Sequence, residues 1–199
     1  MGMSEIIGYG EDALTYRALT KDLDKILAKF NDTSDLDGCM VFYRPSFGRG
    51  GKSKALFGEF DAIIITETRT YLVESKWDMS SEVTSTGVNL TESQIDRHKI
   101  FRWYVDRWDS NVPWPELIHK KGGEFSNIFS GKTIPPEGSE LTKNLQFILR
   151  KMRGKSVIDL LLLFCSDSKN DSTVEVYPDN FKLVVLPYIG MEPTNYFKM

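Results

Sequence analysis

Two strand-like runs joined by a very short polar connection constrain the fold most. Residues 57–66 and 70–77 are rich in β-branched and aromatic side chains, and only three polar residues separate them. This arrangement predicts an antiparallel hairpin. If the hairpin is symmetric about the bond between residues 67 and 68, Asp61 lies opposite Glu74, with the two β-carbons about 4.5–5.5 Å apart.

The rest of the chain alternates helical and strand-like segments. Apolar residues at three- and four-residue spacing predict helices, and nearly continuous apolar runs predict buried strands. The predicted order is a helix at 10–30, a strand at 38–43, the two hairpin strands, helices at 91–108 and 139–153, and strands at 157–166 and 181–188. A stretch rich in Pro and Gly at 109–139 predicts a loop-rich insertion with no core of its own. We therefore expect one α/β domain over residues 1–199, built on a mixed β-sheet flanked by helices.

The composition excludes several classes of protein. Lys and Arg number 25 against 28 Asp and Glu, and the net charge of −3 argues against a chain that coats nucleic acid non-specifically. The longest apolar run is only six residues, at 160–165, whereas a membrane span needs roughly 18. The first residues lack the basic and apolar regions of a signal peptide. We expect no membrane association and a cytoplasmic location.

Three charged residues of the hairpin form a candidate site. Residues two apart on a strand face the same side, so Glu74 and Lys76 project together, and Asp61 lies across from Glu74. Two adjacent carboxylates repel unless a cation intervenes, and hard oxygen ligands favour Mg²⁺ or Mn²⁺. Lys76 would then orient or activate an attacking water and stabilise charge on a phosphate. The alternative is a solvated ion pair on a surface hairpin, but Asp61 lies within an apolar run where a charge without a partner costs stability.

Asp61 followed by Glu74-Ser75-Lys76 resembles the acidic residue and the ExK motif of the PD-(D/E)XK nuclease superfamily, with Phe60 where a Pro often precedes the Asp. The resemblance implies a restriction-endonuclease-like fold with an αβββαβ core, in which the insertion precedes the fourth core strand. It also implies Mg²⁺- or Mn²⁺-dependent hydrolysis of phosphodiester bonds in DNA, with Asp61, Glu74 and the Ser75 carbonyl as metal ligands.

Two further segments resemble the same superfamily. Glu11, near the start of the first helix, is similar to the Glu that often completes the metal site, where it would bind a second metal or the water shell of the first. Gln94 and His98 resemble the helix that follows ExK in resolvase-like and nuclease-related members, and would contact the phosphate or Lys76. Two structural alternatives stay open: an acid is favourable at any helix N-terminus, and Thr91 and Gln94 match a capping box.

Basic and aromatic residues supply candidates for nucleic-acid binding. A glycine-rich loop without acidic residues, in which backbone amides can approach phosphate, contains Arg44, Arg49, Lys52 and Lys54. A second acid-free set lies along the last predicted helix and comprises Lys143, Arg150, Lys151, Arg153 and Lys155. Either set could contact a nucleic-acid backbone, and solvated faces with the same pattern are commoner. The aromatic candidates for base stacking are Trp103, Tyr104, Trp108 and Trp114, although most aromatic residues at helical spacing belong to a core.

The sequence therefore predicts a Mg²⁺-dependent deoxyribonuclease, an endonuclease with DNA as its partner. Two alternatives remain open, namely a module of the same fold that binds nucleic acid without catalysis and a nuclease directed at RNA. Many nucleases of this fold pair to cut both strands, so the resemblance also allows a homodimer.

Overall fold

The computed structural model describes residues 6–48, 57–166, 174–189 and 195–198. In chain order the elements are β1 (Ile7–Tyr9), α1 (Gly10–Lys21), α2 (Leu23–Ala28), β2 (Met40–Tyr43), β3 (Ser46–Phe47), β4 (Gly58–Glu59), β5 (Ala62–Ile65), β6 (Arg69–Trp77), β7 (Gly87–Asn89), α3 (Glu92–Arg107), α4 (Trp114–Ile128), α5 (Glu140–Met152), β8 (Ser156–Cys165), β9 (Glu175–Tyr177), β10 (Lys182–Pro187) and β11 (Tyr196–Lys198). None of the described helices combines the length and the apolar character needed to span a membrane.

A five-stranded mixed sheet in the order β10-β8-β6-β5-β2 forms the centre of the structure. The neighbours β2, β5 and β6 are antiparallel, whereas β6, β8 and β10 run parallel to one another. Parallel neighbours require a crossover connection, and α3, α4 and α5 provide it between β6 and β8. The prediction of an α/β fold with a mixed sheet and flanking helices is confirmed.

The hairpin of β5 and β6 has the predicted register. Ala62 pairs with Val73 and Ile65 with Thr70, so the pairing is symmetric about the bond between residues 67 and 68. The first strand is shorter than expected, because the run 57–66 is interrupted before Ala62. Asp61 lies at this interruption, and its backbone N–H donates to the Val73 carbonyl at 3.2 Å.

Alternate residues of the hairpin are buried on opposite faces of the sheet. Ile63, Ile65 and Leu72 belong to the core formed with α3, α4 and α5. Ile64 and Val73 belong to the core formed with α1 and α2. Since side chains alternate along a strand, the even-numbered positions at the end of β6 lie on the α3 face.

The prediction that residues 109–139 form a loop-rich insertion without core content is wrong. The middle of this segment is α4, in which Trp114, Leu117 and Phe125 are buried in the same core as α3. Pro115 lies in the first turn, where a missing N–H costs nothing. The predicted helix at 10–30 is also interrupted, because Asp22 leaves helical geometry between α1 and α2.

Candidate functional site

Asp61 and the last residues of β6 meet beside the N-terminal half of α3. The Ser75 N–H donates to Asp61 Oδ2 at 2.7 Å, which fixes the carboxylate against the end of β6. The N–H and C=O of one strand residue point to the same edge, so the Ser75 carbonyl also points toward the Asp61 side. One carboxylate and one backbone carbonyl therefore lie together at this edge.

Asp61 carries a carboxylate whose charge is poorly compensated. Burial raises the pKa of Asp61 to about 7, and the nearby carboxylates of Glu74 and Glu11 act in the same direction. The hydrogen bond from Ser75 and the charge of Lys76 offset only part of this effect. Within the described ranges, no Lys or Arg forms an ion pair with Asp61. An additional cation at this point would therefore be stabilised by Asp61.

Glu74, in contrast, is surrounded by donors from α3. Its side chain is 1% exposed, and Oε1 accepts from Arg97 Nη1 at 2.6 Å and lies 3.3 Å from His98 Nε2. The Gln94 Nε2 donates to the second oxygen at 3.3 Å, while its Oε1 accepts from the Thr91 N–H in a capping box. Gln94 therefore closes the capping box and contacts Glu74 with the same side chain. Sequence reasoning missed Arg97, although its position three residues after Gln94 puts it on the same helix face.

His98 links Glu74 to a second buried carboxylate, Asp159 of β8. The Nδ1 atom of His98 lies 2.8 Å from Asp159 Oδ1, and Asp159 also accepts from Arg102 Nε at 2.8 Å and Asn180 Nδ2 at 3.0 Å. Burial alone would lower the pKa of His98, but the hydrogen bonds to Asp159 and Glu74 raise it. Burial would likewise raise the pKa of Asp159, yet His98 and Arg102 lower it. The arrangement favours a protonated imidazole shared by two carboxylates.

Lys76 lies between two other acidic residues. Its Nζ is 3.6 Å from Glu11 Oε1 and 3.7 Å from Glu82 Oε1. Glu11 Oε2 accepts from the Trp77 N–H at 3.1 Å and from Ser80 Oγ at 2.9 Å, and burial raises the pKa of Glu11. These contacts join Glu11 to Lys76 and the end of β6. The predicted alternative of a Lys76 contact for Gln94 and His98 is not formed, since both side chains contact Glu74.

The basic loop is described only in part. Arg44 is bound by two carboxylates, Asp12 and Glu59, the latter at 2.6 Å from Arg44 Nε. Its guanidinium charge is thus compensated within the protein, which weakens its suitability as a phosphate ligand. The other predicted nucleic-acid-binding residues, Arg49, Lys52 and Lys54, lie outside the described residues.

The oxygen atoms around Asp61 suit a hard divalent cation better than those around Glu74. Among the residues that the structure describes, no three His, Cys, Asp or Glu side chains form a ready metal cluster. Asp61 and the Ser75 carbonyl supply hard oxygen donors, and burial and the neighbouring Glu74 raise the pKa of Asp61. Glu74 would have to release Arg97 before it could join them, because its Oε1 is already engaged.

Comparison with known proteins gave no significant match: no family model, no curated protein and no solved structure matches the chain. The resemblance to PD-(D/E)XK nucleases therefore rests on the residues of this chain alone.

Proposed function

We propose that the protein is a metal-dependent phosphodiesterase that hydrolyses DNA, with its site at Asp61, Glu74 and Lys76. The observation that carries the proposal is the Asp61 carboxylate, which forms no ion pair with any described Lys or Arg and whose pKa is raised to about 7 by burial and by Glu74 and Glu11. Perturbed acids of this kind concentrate at functional sites. An ordinary surface ion pair would leave the carboxylate solvated and its pKa near 4.

The order of the elements supports a restriction-endonuclease-like fold as part of this proposal. The central elements follow the sequence α1, β2, β5, β6, α3 and β8, which agrees with the expected αβββαβ core once α4 and α5 are counted as the insertion and its following helix. The candidate site lies toward the carboxyl end of β6, next to the parallel strand β8. Ligands of open α/β sheets commonly bind at the carboxyl ends of such strands.

Asp61 and the Ser75 carbonyl would hold Mg²⁺ or Mn²⁺, and Glu74 would join them if Arg97 moved away. When bound, the cation would neutralise these carboxylates and lower the pKa of a coordinated water. Lys76, held between Glu11 and Glu82, would orient the attacking water and stabilise negative charge on the phosphate.

The residues behind Glu74 act as positioning groups in this proposal. His98 fixes one oxygen of Glu74 and is itself oriented by Asp159. Gln94 fixes the other oxygen at 3.3 Å while it caps α3. Hydrogen bonds of this kind hold a metal-binding carboxylate in one orientation, which a bound cation requires.

A second function is a nucleic-acid-binding module without catalysis. The observation that favours it is the Arg97–Glu74 pair, in which a guanidinium at 2.6 Å already supplies the positive charge that a metal would bring. In that case the site would stabilise the fold as an ion-pair network and bind no cation. The two functions differ in a measurable property, the uptake of Mn²⁺.

The test is incubation with supercoiled, linear, branched and single-stranded DNA and with RNA, each with Mg²⁺, Mn²⁺ or EDTA. We expect cleavage of DNA only with a divalent cation, and its loss in Asp61→Asn and Lys76→Ala. The exposed lysine of α2 gives a matched control, since Lys25→Gln should cleave like the wild type. Binding without cleavage would favour the module, cleavage of RNA alone would change the substrate class, and full activity in Asp61→Asn would remove the proposed site.

A further inference from the structure

A cavity of about 290 Å³ lies between the C-terminal ends of α3 and α5. Its lining includes Trp108 and Ser110 after α3, and Arg150, Arg153 and Lys155 from the end of α5 onward. Lys155 Nζ donates to the carbonyl oxygens of residues 66 and 67, in the turn between β5 and β6. The cavity is therefore near the opposite end of β6 from Glu74, roughly 15–20 Å away at about 3.3 Å per strand residue.

Trp108 differs from the other aromatic residues of this region. Trp103, Tyr104 and Trp114 are buried in the core, whereas Trp108 is only partly buried and lines the cavity. Its Nε1 is nevertheless shielded from solvent and has no hydrogen-bond partner among the described residues. The Nε1 of Trp103 and the hydroxyl of Tyr104, both in the core, also lack a partner among the described residues, so the feature that distinguishes Trp108 is its position in the cavity wall.

The cationic side chains of the cavity outnumber the acidic ones. Arg107, Arg150, Arg153 and Lys155 line it together with Asp106 and Asp109, which leaves an excess of two positive charges. The carbonyl ends of α3 and α5 offset part of this excess, since each carries about half a negative charge. Glu124, outside the lining, pairs with Arg107 and removes about one more positive charge, so an anion would be favourable only beside an arginine that no carboxylate engages.

The three arginines of the cavity differ in the ion pairs and hydrogen bonds that they form with the rest of the protein. Arg107 is paired with Glu124 at 2.8 Å, and Arg153 donates to Ser110 Oγ at 3.0 Å with Asp109 farther away at 3.5 Å. Arg150 forms no ion pair in the described part of the chain, and its guanidinium carbon lies 5.9 Å from the centre of the Trp108 ring. A guanidinium over an aromatic ring keeps its N–H donors available for a planar or tetrahedral anion.

We propose that this cavity binds a nucleotide, with the phosphate at Arg150 and Arg153 and the base or sugar against Trp108. The volume is close to the lower limit for small-ligand pockets and suits a single nucleotide unit. Guanidinium groups recognise phosphate through several hydrogen bonds at once. The Trp108 indole also contacts the Arg150 guanidinium and the Trp114 ring, so the base or sugar would pack against the part of the indole that lines the cavity. The ligand is either a free nucleotide or one nucleotide of a strand.

The cavity is separate from the proposed phosphodiesterase site, so binding to it can be measured without cleavage. Titration calorimetry in EDTA would compare adenosine 5′-monophosphate, inorganic phosphate and adenosine, and a short single-stranded oligonucleotide would distinguish free from strand-borne nucleotide. Because no divalent cation is present and the monophosphate contains no phosphodiester bond, neither result depends on cleavage. We expect the monophosphate to bind more tightly than phosphate or adenosine.

Arg150→Gln should weaken monophosphate binding by about tenfold or more, since charge-assisted hydrogen bonds are lost. The neighbouring Lys151, whose Nζ lies over the Phe147 ring and outside the cavity lining, supplies the matched control Lys151→Gln. Trp108→Phe should weaken binding less, because it keeps an aromatic ring in the cavity wall. The proposal is overturned if the wild type shows no binding up to about 5 mM, if inorganic phosphate binds as tightly as the monophosphate, or if the two glutamine variants behave alike.

Discussion

The replacement Asp61→Asn tests the electrostatics of the candidate site without any substrate. Asn has the shape of a protonated Asp, and its side-chain oxygen can still accept the hydrogen bond from the Ser75 N–H. What the substitution removes is the negative charge that burial, Glu74 and Glu11 make unfavourable. We expect the variant to be more stable than the wild type, by an amount that grows with pH.

The size of this effect follows from the pKa of Asp61, which rises from 3.8 to about 7 on folding. Between these two values the folded state binds more protons than the unfolded state, so the contribution of Asp61 to stability falls as the pH rises. At 25 °C the advantage of Asp61→Asn should be about 2 kcal/mol near pH 5 and about 4 kcal/mol near pH 8.5. Above the folded-state pKa the difference should level off.

The measurement is urea unfolding of both proteins at several pH values, in EDTA, with the slope m compared to confirm that the unfolded state is unchanged. Asp24→Asn, at an exposed position of α2, is the matched control for the loss of one carboxylate charge. A constant difference between Asp61→Asn and the wild type, or a less stable variant near pH 8.5, would refute the reasoning. A divalent cation should stabilise the wild type near pH 8.5 and leave Asp61→Asn unaffected.

Three further results are expected. Arg97→Gln should raise the affinity for Mn²⁺ in calorimetry by about tenfold, because it leaves the buried Glu74 without its guanidinium partner; unchanged or weaker binding would contradict a metal role for Glu74. Asp159→Asn should lower the pKa of His98 in an NMR titration, with the only other histidine as internal reference, and an unchanged pKa would show that Asp159 is not its main partner. Phe125→Ala should reduce the free energy of unfolding by about 3–5 kcal/mol in urea, whereas a loss below about 1 kcal/mol would mean that α4 is not part of the core.

The hairpin could be predicted from sequence because its determinants are local. A short polar connection limits the register, and the alternation of strand side chains then decides which residues share a face. Once the register was set, Glu74 and Lys76 necessarily projected to one side. The interruption at Asp61 could not be foreseen, since it depends on the hydrogen bond between its carboxylate and the Ser75 N–H of the neighbouring strand.

Helix α4 was missed because composition was given more weight than spacing. Gly and Pro are frequent in the segment, yet Trp114, Leu117 and Phe125 have the spacing of one buried helix face, and Pro115 lies in the first turn where it is tolerated. The small sheet of β1 and β11 was missed for a different reason. It joins the two ends of the chain, and no local pattern indicates a pairing over that sequence separation.

The described cations are distributed unevenly among the carboxylates of the candidate site, and Asp61 has the fewest positive partners. Glu74 has Arg97 at 2.6 Å, and Glu11 has Lys76 at 3.6 Å, whereas Asp61 has a single backbone N–H as its hydrogen-bond donor within the described residues. If the described network served only to stabilise the fold, a cation beside Asp61 would lower the cost of burying its charge. A site that binds a cation needs a carboxylate whose charge is still available to that cation. The surrounding carboxylates can be paired with protein cations, as Glu74 and Glu11 are here. The expected pH dependence of Asp61→Asn and its loss of cation-dependent stabilisation both follow from this asymmetry.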